Sequence, residues 1–179
     1  MLHDPNLLDR LAQLPTEQFD GESFRATRRS LDALAPSTSG GRWSPKGGPA
    51  VLYTSLVEEG ALAEIAFHWG QLVPRPSKAV TLHRLAVSTR KTLRLIRTQL
   101  DDLGVSSQDY EKFNYTETQR IGAAVAFLEC DGLIVPSARW DCENLVIFAD
   151  HSFETDIRVL HSKEVDWQQW ANGHGLFRD

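Results

Sequence analysis

The chain has 179 residues, of which 41% are hydrophobic and 24% are charged, which is the size and balance of one globular domain with its own core. The formal net charge of -5 argues against direct binding of nucleic acid, because such binding depends on clustered cations. The N-terminus lacks the pattern of a signal peptide and no run of about 18 apolar residues occurs, so we expect a cytoplasmic protein without a membrane span. Cys130 and Cys142 lack the spacing of a zinc site, and no metal is expected.

The first half of the chain predicts short alternating elements without repeats. In order, these are a helix over residues 7–14, a strand over 19–27, a polar loop over 30–48 and a strand over 50–54. Long loops in compact domains are usually functional or disordered. Ser55 and Glu58 form a capping-box pattern that predicts the start of a helix over residues 56–69, with Gly70 as its stop.

The second half is predicted less completely. The expected elements are strands over residues 79–88 and 92–96, a helix over 117–128, and short buried strands over 133–135 and 145–148. An Asp131-Gly132 turn separates the helix from the next strand. The residues from 101 to 118 and those after 153 carry no pattern that we can assign.

Glu64 lies in the middle of a predicted helix that is apolar on nearly all sides. At about 100° per residue, one face of that helix carries Leu62, Ile65, Ala66 and Trp69. Such a helix is usually buried, so its carboxylate should be paired, neutral or facing a cavity. An internal salt bridge and a functional role are about equally compatible with the spacing.

The run from Gly40 to Gly47, Gly-Gly-Arg-Trp-Ser-Pro-Lys-Gly, is a glycine-rich loop with Arg42 at its centre. A guanidinium beside free backbone N–H groups suits bidentate binding of a diphosphate or carboxylate. Most arginines near such loops are nevertheless solvated or paired with an acid, and Lys46 is expected to be a solvated loop lysine. The loop matches neither a Walker A motif nor a Rossmann fingerprint.

In their order and combination, the sequence blocks resemble the RES domain, a family named for an arginine, a glutamate and a serine. The blocks are Gly40 to Gly47, Val51 to Tyr53, Ala61 to Glu64, Asp131 to Ser137 and Asn144 to Phe148. One departure is Ser44, where the family usually has Asn. The resemblance implies an α+β fold similar to that of ADP-ribosyltransferase toxins, in a single domain over residues 1–179 with a motif core at 24–148.

The same resemblance implies a set of site residues. By motif, the catalytic residues would be Glu64, Arg42, Tyr53 and Ser137, and the substrate-binding residues would be Arg25, Arg42, Trp43 and Asn144. The two arginines would hold a diphosphate, and Tyr53 would pack on nicotinamide or ribose. Ser137 would hydrogen-bond the substrate amide or a ribose hydroxyl. Arg139 and Asn144 lie near Ser137 in the sequence and would be secondary members of the site. No histidine has a position in the sequence that suggests a base.

Members of the RES family degrade NAD as toxins of bacterial toxin–antitoxin pairs, so the resemblance implies NAD as the substrate, without a metal. The leading expectation is an NAD glycohydrolase or phosphorylase that cleaves the nicotinamide–ribose bond and passes ADP-ribose to water or phosphate. Glu64 would stabilise the oxocarbenium-like charge. The alternatives are a protein ADP-ribosyltransferase and a catalytically inactive partner-binding module. An Xre-type helix-turn-helix antitoxin is the implied partner, and homo- or hetero-oligomers remain open.

Overall fold

The computed structural model describes residues 3–154 and 156–177. The helices are α1 (Pro5–Ala12), α2 (Glu58–Gly70), α3 (Arg97–Asp102), α4 (Ser107–Tyr110), α5 (Thr116–Phe127) and α6 (Trp167–Gly173). The strands are β1 (Thr16–Arg28), β2 (Val51–Ser55), β3 (Val80–Arg94), β4 (Gly132–Pro136), β5 (Glu143–Phe148) and β6 (Asp156–Val165). A 3₁₀ helix, Ala149–Glu154, joins the last two strands.

The six strands form one sheet in the order β1-β2-β5-β4-β3-β6. Strand β1 pairs with both β2 and β3, so the sheet folds back on itself. Every pairing is antiparallel except that of β3 with β4. This mixture of a largely antiparallel sheet with separate helices confirms the predicted α+β class.

Helices cover the sheet at two places, and each place has its own cluster of buried residues. On one side, α5 packs with α1 over the ends of β4 and β5, around Ile121 and Val125. On the other, α2 packs against β1 and α6, where Leu62 lies in a cluster with Trp167. The rings of Trp69 and Trp167 meet edge to face at 5.5 Å. Helix α2 is therefore held on two sides, as its nearly continuous apolar surface predicts.

The predicted capping box at the start of α2 is wrong. The helix begins at Glu58, its N-cap residue is Val57, and no side chain caps it. Ser55 belongs to β2, where it is 1% exposed, and its Oγ lies 3.4 Å from Cys142 Sγ. Glu58 pairs instead with Lys163 of β6. The spacing of Ser55 and Glu58 suggested a cap, but Ser55 pairs within the sheet, and its buried hydroxyl makes no capping hydrogen bond to the helix.

Two predicted strands are one continuous strand in the structure. The sequence analysis predicted separate strands over residues 79–88 and 92–96, yet β3 runs from Val80 to Arg94. The Asp131 carboxylate accepts the backbone N–H groups of Arg90 at 2.7 Å and Lys91 at 2.9 Å. A side chain distant in sequence thus satisfies the backbone between the two predicted strands.

The segments that carried no assignable pattern are structured. Residues 101–118 contain the end of α3, all of α4 and the start of α5, and the tail contains β6 and α6. The first helix lies over Pro5–Ala12, two residues earlier than predicted at each end, with Asp4 as its N-cap. Across the described ranges, no helix has the length and apolar character needed to cross a membrane.

Candidate active site

A cavity of about 500 Å³ lies where α2 faces β1, the ends of β2 and β5, and the glycine-rich loop. Its charged lining residues are Arg25, Arg42 and Glu64. Two cations against one anion give the cavity a positive balance within a chain of net charge -5. A volume of this size suits a small organic ligand, and the charge balance favours an anionic one.

Glu64 is half-buried and lies on the cavity face of α2. Its Oε1 accepts hydrogen bonds from Asn144 Nδ2 at 3.0 Å and from Ser137 Oγ at 3.2 Å. Its Oε2 has no such partner in the described chain and remains accessible. None of the ion pairs between described residues includes Glu64. The carboxylate is therefore oriented by neutral donors, with one oxygen free to meet a ligand.

Arg42 is held by uncharged groups. One guanidinium nitrogen donates to the Tyr110 carbonyl oxygen, and the guanidinium carbon lies 4.9 Å from the Tyr110 ring centroid and 4.6 Å from that of Tyr115. Tyr110 is 1% exposed, and its hydroxyl donates to the Pro136 carbonyl oxygen at 2.6 Å, directly before Ser137. One buried tyrosine thus contacts both the Arg42 side chain and the strand end that carries Ser137.

The glycine-rich loop is fixed by close packing. The Trp43 N–H donates to Tyr53 Oη at 3.2 Å, and a Cβ at Gly41 would lie 2.7 Å from that oxygen. Burial raises the pKa of Tyr53 to about 12, so its phenol is neutral at ordinary pH. Trp43 is 2% exposed and packs in the core beside α5. Its indole therefore anchors the loop, and Trp43 also lines the cavity together with Gly40, Gly41 and Tyr53.

Arg25 reaches the cavity from β1. One of its guanidinium nitrogens, Nη2, donates to the Ala35 carbonyl oxygen at 2.9 Å, and the other, Nη1, is buried without a partner in the described chain. Burial lowers the pKa of Arg25, and the nearby Asp32 partly opposes that shift. The segment around Ala35 thus holds Arg25, whereas a different segment holds Arg42.

Ser137 lies beside the cavity and contacts Glu64 rather than the cavity itself. Its Oγ donates to Glu64 and accepts the backbone N–H of Arg139 at 3.1 Å. The Arg139 side chain donates to the Glu111 carbonyl oxygen at 2.6 Å, and its guanidinium carbon lies 3.3 Å from the Phe67 ring centroid. Burial lowers the pKa of Arg139, and the Arg42 charge lowers it further.

Sequence reasoning missed several cavity residues, among them Tyr115 and His68. Tyr115 lies in the segment without a readable pattern, so no sequence signal marked it. His68 did carry a signal, because it follows Glu64 by four residues and therefore shares its helix face. It is solvent-accessible through the cavity, and the protein atoms around it lower its pKa by partial desolvation. Among the described residues, none of the groups of His, Cys, Asp and Glu has a metal-site arrangement.

The fold and this cavity define a mixed α/β domain with a charged cleft between a helix and a folded-back sheet. The sequence model of the RES domain matches residues 12–168, and the chain belongs to that family. The chain is 30% identical over 154 residues to a "Probable NAD(+) phosphorylase" of Mycobacterium tuberculosis, covering 79% of this chain and 71% of the relative.

A solved structure has the same fold. It is a chain in the crystal structure of the M. tuberculosis MbcT–MbcA toxin–antitoxin complex, with a TM-score of 0.79 and 20% sequence identity. The match covers 94% of this chain and 97% of that chain. At this identity the likeness establishes the fold. The family predicted from the sequence blocks is confirmed by the family match.

Proposed function

We propose that this protein is an enzyme that cleaves the bond between nicotinamide and ribose in NAD and passes ADP-ribose to phosphate or water. The observation that carries the proposal is Glu64, a carboxylate with one oxygen anchored by Ser137 and Asn144 and the other open to a positively charged cavity. The relative named as a probable NAD(+) phosphorylase supports the same substrate.

The residue types suit this reaction. As the bond to nicotinamide breaks, positive charge develops on the ribose, and a fixed carboxylate stabilises it. Nicotinamide leaves as a neutral molecule from a pyridinium, so no acid has to protonate it. Glu64 would face the ribose through Oε2, while Ser137 and Asn144 act on the reaction by orienting Glu64. Arg25 and Arg42 would balance phosphate charges, and the Tyr53 ring would pack against the ligand.

Nicotinamide release from NAD tests the proposal. Glu64→Gln keeps the shape and one acceptor oxygen but removes the charge, and we expect turnover to fall by about 100- to 1000-fold, the range for removing a preorganised electrostatic group. Glu59→Gln is the matched control, because Glu59 is exposed on the same helix. If the unmodified protein releases no nicotinamide with water, phosphate or a protein mixture as acceptor, the enzymatic function is refuted and the partner-binding module remains.

The acceptor is resolved in the same assay. Release that depends on inorganic phosphate indicates phosphorolysis, and release without phosphate or protein indicates hydrolysis. Release that occurs only with protein, with ADP-ribose attached to that protein, indicates a transferase. Mass spectrometry of the products separates these outcomes.

We further propose that the protein is a toxin restrained by an antitoxin, with an Xre-type helix-turn-helix protein as the partner that blocks the cavity. The fold match to a chain of a toxin–antitoxin complex supports this role. Expression of the unmodified chain should arrest growth, whereas Glu64→Gln at equal protein level should not. Equal growth of the two strains contradicts toxicity, and failure of a co-expressed Xre-type protein to restore growth contradicts the proposed partner.

A further inference from the structure

The charged groups in the cavity lining and directly around it separate into two sets, of which Arg25, Arg42, His68 and Glu64 line the cavity itself. Arg25 interacts electrostatically with Asp32, and both act on the nearby His83. The second set contains Arg42, Arg139, His68 and Glu64: the two arginines and Glu64 all act on His68, and Arg42 and Glu64 also act on Arg139. Different chain segments hold the two sets, since Arg25 bonds to Ala35 and Arg42 bonds to Tyr110.

The second set has more positive than negative charge. None of the ion pairs between described residues includes Arg42 or Arg139. Each is held by a backbone carbonyl oxygen and an aromatic ring, which orient a guanidinium without neutralising it. Glu64 supplies the single negative charge of the set. Two neighbouring guanidinium groups with a single carboxylate beside them carry a net positive charge that favours binding of a phosphate.

His68 adds a hydrogen-bonding group to this set. It lies one helical turn after Glu64 and lines the cavity, and neither of its ring nitrogens makes a side-chain hydrogen bond to another described residue. Its ring meets that of Phe67 edge to face at 5.6 Å, and Phe67 in turn lies under Arg139. The imidazole therefore lines the same cavity as Arg42 and shares the Phe67 ring with Arg139, and its nitrogen atoms are available to a ligand.

We propose that Arg42 and His68, with Arg139 beside them, form the subsite for the inorganic phosphate that accepts ADP-ribose, while Arg25 holds the diphosphate of NAD. This inference rests on the proposed function and narrows it to phosphorolysis. It also departs from the expectation that both arginines hold the diphosphate. NAD has one diphosphate, which needs only one of the two cationic sets. The set that includes Glu64 therefore remains for inorganic phosphate, the second anion of the reaction.

The reaction at this subsite needs only NAD and inorganic phosphate. An oxygen of phosphate forms a bond to the anomeric carbon of the ribose as the bond from that carbon to the pyridinium nitrogen breaks. The electron pair of the broken bond stays with nicotinamide and makes it neutral. The products are nicotinamide and ADP-ribose 1-phosphate, and no group is oxidised or reduced. Arg42 and His68 would orient the attacking phosphate toward the carbon next to Glu64.

Steady-state kinetics with separately varied NAD and phosphate test the assignment. We expect His68→Leu and Arg139→Met each to raise the KM for phosphate by about 10-fold or more, the effect of losing a hydrogen bond or charge at a bound anion. The KM for NAD should change by less than about 3-fold. His68→Gln keeps a donor and should recover part of the loss. Arg25→Met should instead raise the KM for NAD and change the KM for phosphate little.

Arg75→Met is the matched control for Arg139→Met. Arg75 also stacks on a phenylalanine, with its guanidinium carbon 4.4 Å from the Phe177 ring centroid, but unlike Arg139 it does not act electrostatically on His68. It should leave both KM values unchanged. If the His68 and Arg139 variants raise the KM for NAD and leave that for phosphate unchanged, or raise both equally, the assignment is wrong.

A binding measurement keeps the inference separate from catalysis. Phosphate added to the protein without NAD should shift the imidazole NMR signals of His68, identified by their loss in His68→Gln. If the protein releases no nicotinamide but phosphate shifts His68, the proposed function fails and the subsite stands. If phosphate leaves His68 unshifted, the subsite is refuted whether or not nicotinamide is released.

Discussion

The two oxygen atoms of Glu64 have different environments. Oε1 accepts two hydrogen bonds from neutral donors, whereas Oε2 remains accessible to the cavity. Hydrogen bonds to a charged group stabilise by roughly 1.5–3 kcal/mol each. They also fix the direction in which the free oxygen points. At the scale of single residues, the site therefore depends on Ser137 and Asn144 as well as on the carboxylate they hold.

Removal of either donor should lower turnover. For Ser137→Ala and Asn144→Ala we expect kcat for nicotinamide release to fall by about 10- to 100-fold, since each loses one hydrogen bond to a charged group. The KM for NAD should change less, because in the structure the Ser137 hydroxyl and the Asn144 amide both donate to Glu64. Asn172→Ala, at an exposed position of α6, is the control. Unchanged kcat in both variants would contradict the orienting role.

His83 makes stability depend on pH. It is 7% exposed, lies between Thr27 and Ser162, and its pKa is lowered by burial and then by Arg25, with Asp32 opposing. Below about pH 6.5, His83 binds a proton more readily in the unfolded chain than in the folded chain. The free energy of unfolding therefore falls as the pH falls. Urea unfolding at several pH values should show this loss.

The control for this effect is His83→Gln, which keeps a hydrogen-bonding group and cannot titrate. Its free energy of unfolding should decline less between about pH 6.5 and 5 than that of the unmodified chain. The same decline in both proteins would assign the acid sensitivity to other groups.

Among the elements, α5 and the glycine-rich loop are packed without space between them. A Cβ at Gly122 would lie 1.9 Å from the Trp43 carbonyl oxygen. Gln119, one turn earlier, donates to the Gly41 carbonyl oxygen at 2.9 Å. The helix thus determines the position of the loop that carries Arg42.

Gly122→Ala should therefore damage both stability and activity. Overpacking against backbone costs about 1–3 kcal/mol or more, and a displaced loop moves Arg42. Gly173→Ala is the matched helical control, because nothing lies within 4 Å of its added Cβ. It should be neutral or slightly stabilising. Urea unfolding and nicotinamide release measure the two effects, and equal behaviour of the two variants would contradict the close packing.

Elements with strong local patterns could be predicted from sequence. The apolar α2, the short strands β4 and β5, and α5 lie where periodicity and glycine signals indicate. The continuity of β3 could not be predicted, because it depends on Asp131, which is distant in sequence. Tyr110 and Tyr115 were missed for a similar reason: their contacts with Arg42 exist only after α4 and the start of α5 have packed. The family motif named Ser137, but only the structure directs its hydroxyl to Glu64.

For the whole molecule, elements outside the motif core contribute to its packing. Strand β6 pairs along β3, α6 places Trp167 against α2, and the first half of β1 precedes residue 24. A single domain that includes these elements stays a prediction, and truncation tests it.

A chain of residues 24–148 should fail to fold cooperatively. It cuts β1, removes β6 and α6, and exposes the face of α2 that Trp167 covers, a loss of several kcal/mol of burial. A chain of residues 3–177 should unfold in one cooperative transition. Thermal unfolding followed by circular dichroism compares them, and a cooperative transition in the shorter chain would place the domain boundary at the motif core.

The uncharged contacts of Arg42 have a consequence for behaviour in salt. Dissolved ions screen the attraction between a guanidinium and a bound phosphate, but they scarcely affect a carbonyl hydrogen bond or the packing of two tyrosine rings. Rising ionic strength should therefore raise the KM for anionic substrates and leave kcat nearly constant. An arginine held by a carboxylate would instead lose its orientation as well, and kcat would fall with it.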